Sequence, residues 1–292
     1  MWKFVVLHLC TLDETHGLLY FVTSITYVEG VGLGDGGKLQ RLAYIHYFAV
    51  KKCLQVHLRE ESKMETFDAR LVVPYGMCCS GPPASGKTTF ILKMIMGGER
   101  FMTRKIDYIV WFYGQRNATV EMIETHYKDR IQLVHGMPTN LDEYVDDREG
   151  LYGLHVYDDL MQSLQTTDKL VQLATTQVQH KRISWIFIFQ DMFFRSTNRL
   201  TLLRCSHYQV IFNNPLDKTI AHLVARKIMP QNQKVFMKIF ERATGRPHGY
   251  LFIDGRQTTP NCARLRTDIL GYVQRTFVTK EYSAECKYII DK

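Results

Sequence analysis

The sequence predicts an α/β protein with a central, mostly parallel sheet and helices on both of its faces. From residue 75 onward, short apolar runs of strand length alternate with helix-like runs, which is the pattern of parallel strands joined by crossover helices. The run from Ile183 to Phe189 is continuously apolar, as expected of a strand buried on both faces. A glycine-containing loop separates the first of these strands from the first helix.

The elements can be assigned in chain order from these runs. The first strand leads into the glycine loop, and a helix is expected after Lys87. Five later apolar runs of β-branched and aromatic residues predict five more strands. The predicted strands are residues 75–80, 108–113, 131–135, 153–157, 183–190 and 207–212, with a late strand at 249–254, and helices are expected after Lys87, Thr119, Thr167, Asp217 and Gln231.

The chain length indicates more than a minimal domain. At 292 residues it exceeds the usual size of one domain, so we expect one α/β core with additional segments. We divide it into a poorly defined leader at 1–63, a core at 64–255 and a C-terminal extension at 256–292. The leader contains a G-x-G-x-x-G match at Gly32, Gly34 and Gly37, which we interpret as a glycine turn.

The amino-acid composition gives indications of the cellular compartment and of the class of binding partner. The 37 basic and 29 acidic residues give a net charge of +8, which is compatible with a polyanionic partner. The seven cysteines form no Cys-x-x-Cys pair, which argues against a disulfide framework and a zinc site and favours a reducing, intracellular compartment. Asp13 and Glu14 interrupt the N-terminal apolar run, and no later run reaches membrane-spanning length, so we expect a soluble protein.

The segment "GPPASGKTT" carries the clearest chemical signal. Its residues satisfy the phosphate-binding pattern G-x-x-x-x-G-K-[ST], in which glycines let successive backbone N–H groups face phosphates at the start of a helix. Lys87 would reach the β- and γ-phosphates of ATP, and the Thr88 hydroxyl would coordinate Mg²⁺. The predicted nucleotide-binding residues are Gly81, Pro82, Pro83, Ala84, Ser85, Gly86, Lys87, Thr88 and Thr89. Within the α/β class, this motif therefore predicts a P-loop NTPase fold built as a three-layer sandwich.

Two acidic residues follow the strand in "GLHVYDDLM". At the C-terminal end of a buried parallel strand, Asp158 would hold Mg²⁺ through water, and Asp159 would act as the general base that polarises the attacking water. Adjacent aspartates can also simply cap a following helix. The complete phosphate-binding motif upstream favours the catalytic interpretation.

The segment "HKRISWIFIFQDMFF" places polar residues at both ends of one buried strand. Gln190 emerges where P-loop ATPases with an additional strand between the P-loop strand and the acid-bearing strand carry a γ-phosphate sensor. Arg182 stands at the opposite end, so we expect it to reach the nucleotide of a neighbouring subunit rather than its own. An arginine supplied in this way is worth about 10³ to 10⁵ in rate, and it requires a homo-oligomer, as a ring or a dimer.

The segments "SGPPASGKTTF", "VYDDLM", "HKRISWIFIFQDMFF", "NRLTLLRCSHYQVIFNNPLDKTIAHLVARKIMP" and "GYLFID" together resemble the genome-packaging ATPases of Maverick/Polinton elements and adintoviruses. These belong to the FtsK/HerA superfamily, whose core is RecA/FtsK-like. The likeness covers residues 66–270. The family's strand-preceding arginine falls on Arg182 and its strand-terminal glutamine on Gln190, whereas Asn213 and Leu216 depart from its usual basic residues.

The resemblance implies an ATP-driven ring that threads double-stranded DNA into a capsid, with capsid proteins as further partners. It implies action in the nucleus or at a viral assembly site, including the virion vertex. DNA contacts would be made to the backbone without sequence preference. The basic residues that could line a pore are Arg195, Arg199, Arg204, Lys218, Arg226 and Lys227.

Other functions stay open at this point. A GTPase would carry an Asn-Lys-x-Asp motif, and an ATP-binding transporter subunit a Ser-Gly-Gly signature; neither motif is present. A P-loop kinase would need an acceptor site and a lid that the sequence does not indicate. The main alternative is a domesticated or decaying transposon protein that binds nucleotide without motor activity.

Overall fold

The computed structural model describes a continuous α/β body and several short peripheral strands. Its main part covers residues 65–279 except positions 139, 147, 149, 161–180, 191–196 and 272–273. Beyond this range it describes four strands between residues 3 and 29 and one at 288–291.

The elements agree closely with the sequence pattern in the parallel part of the chain. The strands are β1 Lys3–Leu7, β2 Leu12–Asp13, β3 Leu18–Phe21, β4 Ile25–Glu29, β5 Glu65–Asp68, β6 Gly76–Ser80, β7 Tyr108–Tyr113, β8 Ile131–His135, β9 Gly153–Asp158, β10 Ile183–Phe189, β11 Tyr208–Phe212, β12 Tyr250–Asp254, β13 Leu265–Thr267, β14 Arg275–Val278 and β15 Tyr288–Asp291. The described helices are α1 Lys87–Gly97, α2 Ala118–His126, α3 Thr197–Cys205, α4 Thr219–Ile228 and α5 Gln233–Thr244.

One large sheet organises the molecule. Its strand order is β2-β3-β14-β13-β12-β11-β6-β10-β9-β7-β8, and the six strands from β11 to β8 are parallel to one another. The strands from β12 outward to β2 are antiparallel. Strand β10 lies between β6 and β9, which is the position predicted for the additional strand.

Helices cover the sheet on both faces, which confirms the α/β, three-layer fold class with its mostly parallel core. Along β10 the side chains alternate between two separate apolar clusters: Trp185 and Phe187 lie in one cluster, and Ile186 and Ile188 in the other. The first cluster includes side chains of α3, α4 and α5, and the second includes those of α1 and α2. This double burial explains why the strand is continuously apolar.

The C-terminal segment extends the sheet beyond the expected boundary at residue 255. Strand β13 continues it by antiparallel pairing with β12, and β14 pairs antiparallel with β13. Arg266 in β13 is fully buried and donates to Asp254 Oδ2 at 2.9 Å and to the Ala69 carbonyl oxygen at 2.7 Å. This pairing ties the extension to both ends of the core, so β13 and β14 are part of the folded body.

Two predictions from the sequence concern residues that the structure does not describe. The helix expected after Thr167 and the glycine turn at residues 32–37 lie outside the described residues. In the leader, β3 pairs with β14 and β1 pairs with β4. Among the helices that the structure describes, none has both the length and the apolar character that crossing a membrane requires.

A buried histidine makes the stability of the fold depend on pH. His155 in β9 is fully buried, and its Nε2 lies 3.0 Å from the Tyr144 carbonyl oxygen, to which it donates. Burial lowers the pKa of His155 from 6.5 to about 4. The unfolded chain therefore binds a proton between these two values that the folded chain rejects, and the contribution of His155 to stability is lost as pH falls from about 6.5 to about 4.

We expect this loss to amount to about 3 kcal/mol, since one pKa unit corresponds to about 1.4 kcal/mol. The measurement is the free energy of unfolding of wild type and His155→Gln between pH 7 and pH 4. At pH 7 the variant should be less stable than wild type. The difference between their free energies of unfolding should narrow as the pH falls. A difference between wild type and His155→Gln that stays constant over this pH range would refute the assignment.

Candidate active site

The phosphate-binding loop lies between β6 and α1, at the carboxyl edge of the parallel sheet. Ala84 and Gly86 have positive φ values of 59° and 100°, so the chain turns sharply into the helix. At Gly81 a Cβ atom would stand 2.6 Å from the Cβ of Phe212, which leaves no room for any larger residue. The first helical hydrogen bond runs from the Phe90 N–H to the Gly86 carbonyl at 2.9 Å.

The other predicted nucleotide-binding residues share this loop and the first turn of the helix. Pro83 and Thr89 are exposed, whereas Pro82, Ser85 and Thr88 are half-buried. The Ser85 hydroxyl oxygen is itself buried and has no hydrogen-bond partner among the described residues. The loop thus holds a polar group with unused hydrogen-bonding capacity beside the backbone N–H groups that open α1.

Lys87 is folded into the loop. Its ammonium group donates to the carbonyl oxygens of Gly81 and Pro82 at 2.7 and 2.8 Å, and the residue is 8% exposed. Burial lowers the pKa of Lys87, while Cys79, Asp158 and Asp159 oppose that shift. The ammonium group is therefore already positioned where a phosphate oxygen could replace one of these carbonyls.

Two carboxylates stand at the end of β9, two strands away from the loop strand. Asp158 is buried, and burial together with the neighbouring Asp159 raises its pKa to about 6, although Lys87 acts in the other direction. Asp159 is partly exposed and has a φ of 54°. The backbone here is fixed by Gly114, whose N–H donates to the Asp158 carbonyl at 3.0 Å.

Asp158 and Thr88 are suitable ligands for a magnesium ion. Mg²⁺ prefers oxygen ligands and usually keeps several waters, with phosphates completing its shell. A divalent cation beside Asp158 would favour its ionised form against the burial and the like charge of Asp159 that raise its pKa. Among the residues that the structure describes, no cluster of three or more metal-binding side chains exists, so any such site would depend on the nucleotide phosphates.

Gln190 lies immediately after β10, between the loop strand and the acidic strand. Its Nε2 group donates to Asp159 Oδ1 at 3.3 Å. The structure therefore brings the predicted sensor into contact with the predicted general base, at the same edge of the sheet as Lys87.

Arg182 lies at the other end of β10 and is exposed. Its carbonyl oxygen accepts a 3.2 Å hydrogen bond from the Gly153 N–H, and its φ is 55°. Since a strand rises about 3.3 Å per residue, Arg182 and Gln190 are separated by roughly 25 Å. As expected from the sequence, this side chain lies far from the phosphate-binding loop of its own chain.

Two further residues shape the site without having been predicted. A Cβ atom at Gly114 would stand 2.3 Å from the Asp159 carbonyl oxygen, so only glycine permits this close approach of β7 to the acidic pair. His248 Nδ1 lies 3.2 Å from the Ser85 carbonyl oxygen. Gly114 follows a buried strand directly and could have been noticed for that reason, whereas nothing in the sequence marks His248.

The basic residues considered for DNA binding are only partly described. Arg195 lies outside the described residues, as does the side chain of Arg199. The others are exposed, and Lys218 pairs with Glu241 at 3.2 Å; they are Arg204, Lys218, Arg226 and Lys227.

Comparisons with known proteins give distant structural likenesses. No protein-family model matches the chain, and no curated protein matches it. The genome packaging NTPase B204 of Sulfolobus turreted icosahedral virus 2, in complex with AMP, has a TM-score of 0.42 at 10% identity, covering 66% of this chain and 96% of B204. Its ATPγS complex has a TM-score of 0.41 at 11% identity, covering 64% and 94%. A further structure, of B204, the DNA-packaging ATPase from Sulfolobus turreted icosahedral virus, has a TM-score of 0.44 at 10% identity. The match covers 64% of this chain and 95% of that B204 chain. These values are too low to assign an activity to this chain.

Proposed function

We propose that the chain is an ATP-driven translocase of double-stranded DNA that packages a viral or Maverick/Polinton-type genome into a capsid. The observation that carries the proposal is the convergence of Lys87, the acidic pair and Gln190 at one edge of the parallel sheet, with β10 between the strands of the other two groups. The DNA-packaging part of the proposal rests on the sequence resemblance across residues 66–270.

The first part of the proposed mechanism is binding of the triphosphate. The backbone N–H groups at the start of α1 and its positive N-terminus attract the phosphates. Lys87 would exchange its bonds to the Gly81 and Pro82 carbonyls for bonds to phosphate oxygens. Thr88 and, through water, Asp158 would hold a Mg²⁺ ion, which would supply positive charge beside the bound phosphates.

The second part is hydrolysis. Asp159 would accept a proton from the attacking water, and Gln190 would orient Asp159 and detect the γ-phosphate, in keeping with the contact between the two side chains. Charge that develops on the transferred phosphoryl group would be stabilised by Arg182 of a neighbouring subunit. In such a ring each active site is completed by the next copy of the chain.

The third part is DNA contact. A packaging motor contacts phosphates rather than bases, so the proposed partner is duplex DNA of any sequence. A net charge of +8 suits this partner. The same reasoning makes binding sensitive to salt, because each neutralised phosphate releases condensed counterions.

The test is ATP hydrolysis by the full chain with and without random-sequence duplex DNA, at increasing salt. Turnover should increase with duplex DNA, and the stimulation should fall steeply between 50 and 200 mM salt, as it does for contacts to several phosphates. Stimulation of turnover by only one particular DNA sequence would contradict the proposed contact to the DNA backbone. Turnover indifferent to DNA would favour the alternative, a nucleotide-binding protein without motor activity.

A further inference from the structure

Trp111 is a buried tryptophan whose indole N–H has no role in the site described so far. The residue lies in β7 and is 0% exposed. Its Nε1 atom completes no hydrogen bond among the residues that the structure describes. An indole N–H can only donate, and leaving a buried donor unpaired is unfavourable, so a buried tryptophan normally lies against an acceptor. We therefore expect an acceptor close to Trp111.

The strand register brings Trp111 next to the acidic end of β9. Strands β7 and β9 are parallel neighbours, with Trp111 opposite Val156 and Tyr113 opposite Asp158. Residues two apart on a strand share one face of the sheet, so Trp111 and Asp158 are diagonal neighbours on the same face. Trp111 and Val156 both belong to the apolar cluster that includes side chains of α1 and α2. An indole ring is large enough to span such a diagonal.

The carboxylate of Asp158 is the acceptor that this geometry offers. Asp158 is 6% exposed, and on its other side it faces Ile188 of β10, whose side chain cannot donate a hydrogen bond. The Trp111 indole lies close enough to the carboxylate to lower the pKa of Asp158, in opposition to burial and to the charge of Asp159. An unpaired donor and a buried carboxylate thus face each other across β7 and β9.

We propose that Trp111 is a positioning residue for magnesium binding: its indole N–H donates to one oxygen of the Asp158 carboxylate and leaves the other oxygen for the water that the metal ion carries. This inference rests on the proposed binding of nucleotide and Mg²⁺ at the loop. A hydrogen bond to an ionised group is about twice as strong as one between neutral groups, so it holds the charged carboxylate in one orientation. Trp111 would act only through Asp158.

The first test observes the indole N–H of Trp111 by ¹H–¹⁵N NMR, using the metal-free full chain at pH 8. The chain has three tryptophans, and replacing each by phenylalanine in turn identifies the three indole signals. Asp158→Asn then exchanges the ionised acceptor for a neutral amide of similar shape. The Trp111 signal should move to lower ¹H frequency in this variant, because its hydrogen bond weakens. The Trp185 signal, from the apolar cluster on the other face of the sheet, should stay in place.

The second test measures binding of a non-hydrolysable ATP analogue by calorimetry, with Mg²⁺ and with EDTA in its place. Trp111→Phe keeps a buried aromatic ring and removes the N–H. Its affinity should fall about tenfold or more in Mg²⁺, the usual effect of removing a group that orients a metal ligand, and stay within about twofold of wild type in EDTA. A loss of packing alone would weaken binding under both conditions.

Trp185→Phe is the matched control for the binding test. Trp185 is also 0% exposed, and it lies in β10 within the other apolar cluster. The same substitution there leaves the surroundings of Asp158 unchanged, so the ratio of the affinities in Mg²⁺ and in EDTA should equal that of wild type. Circular dichroism verifies that each variant is folded. If Trp111→Phe does not fold, the NMR comparison of wild type with Asp158→Asn still decides.

The outcomes separate this inference from the proposed function. If the Trp111 signal does not move in Asp158→Asn, or if Trp111→Phe weakens binding equally in Mg²⁺ and in EDTA, Trp111 is a packing residue and the inference is wrong although the loop binds nucleotide. If wild type binds no nucleotide under either condition, the proposed function fails and the role of Trp111 in it falls too, whereas the NMR signal still shows whether the contact to Asp158 exists.

Discussion

Lys87→Ala is expected to reduce ATP turnover by at least about 10²–10³-fold, the usual effect of removing one group that stabilises developing charge in an active site. The ammonium group is buried against the Gly81 and Pro82 carbonyls, so no other described side chain occupies its place in the loop. The measurement is the steady-state rate of phosphate release at saturating ATP, with circular dichroism to verify that the variant is folded.

Lys128→Ala is the matched control for this prediction. Lys128 is exposed and follows α2, so losing it removes one positive charge of the same kind without touching the loop. Its turnover should equal that of wild type. A folded Lys87→Ala protein with turnover near wild type would mean that the loop is not the catalytic phosphate site.

Arg182→Ala is expected to reduce turnover by about 10³-fold or more while nucleotide binding is retained. The reason is the position of Arg182 at the start of β10, at the edge of the sheet opposite Lys87 and Gln190. A residue there cannot act on the nucleotide of its own chain, so any catalytic effect requires a second copy. Turnover and ATP affinity should be measured separately, because a merely structural role would alter both.

Mixing Arg182→Ala with wild type provides the stronger form of this prediction. If subunits share active sites, inactive subunits inserted into rings should lower total turnover by more than their dilution of wild type explains. Arg104→Ala, at an exposed arginine that precedes β7 at the same edge, is the control and should give simple dilution. Simple dilution by Arg182→Ala itself would show that this residue does not act across a subunit boundary.

The parallel half of the fold could be predicted from the sequence because its signals are local. The bounds of β7 and β8 match the apolar runs at 108–113 and 131–135, and β10 ends one residue before the predicted limit. Strands β7 and β10 are buried along most or all of their length, so continuous apolar runs are physically required there. Asp158, the last residue of β9, and Gln190, which follows β10, consequently lie at the carboxyl edge of the parallel sheet.

The antiparallel half could not be predicted in the same way. Strand β13 has three residues, and its central one is a fully buried arginine. A short strand with a charged core residue carries no hydrophobic period. Its buried arginine depends on Asp254 and on the Ala69 carbonyl oxygen, which is distant in the sequence. The sequence therefore predicts only a C-terminal extension here and no strand.

The candidate site likewise combines residues that the sequence reveals with residues that only the folded structure brings together. The loop motif and the acidic pair are contiguous, so the sequence reveals them. The close approach of Gly114 to Asp159 arises because β7 and β9 are neighbours in the sheet, and the meeting of Tyr250 and Leu270 with α1 arises from the antiparallel extension. Both depend on strand order and long-range pairing, which no local pattern encodes.

The most direct test of the central claim is displacement of a third DNA strand from a duplex that carries a triplex. The full chain is incubated with this substrate and ATP, with Lys87→Ala as the inactive reference. A translocase driven by ATP predicts rapid release of the third strand by wild type, whatever the sequence of the flanking duplex, and none by the variant or without ATP. ATP hydrolysis by wild type with no release of the third strand would contradict the account, because it would show an ATPase that does not move along DNA.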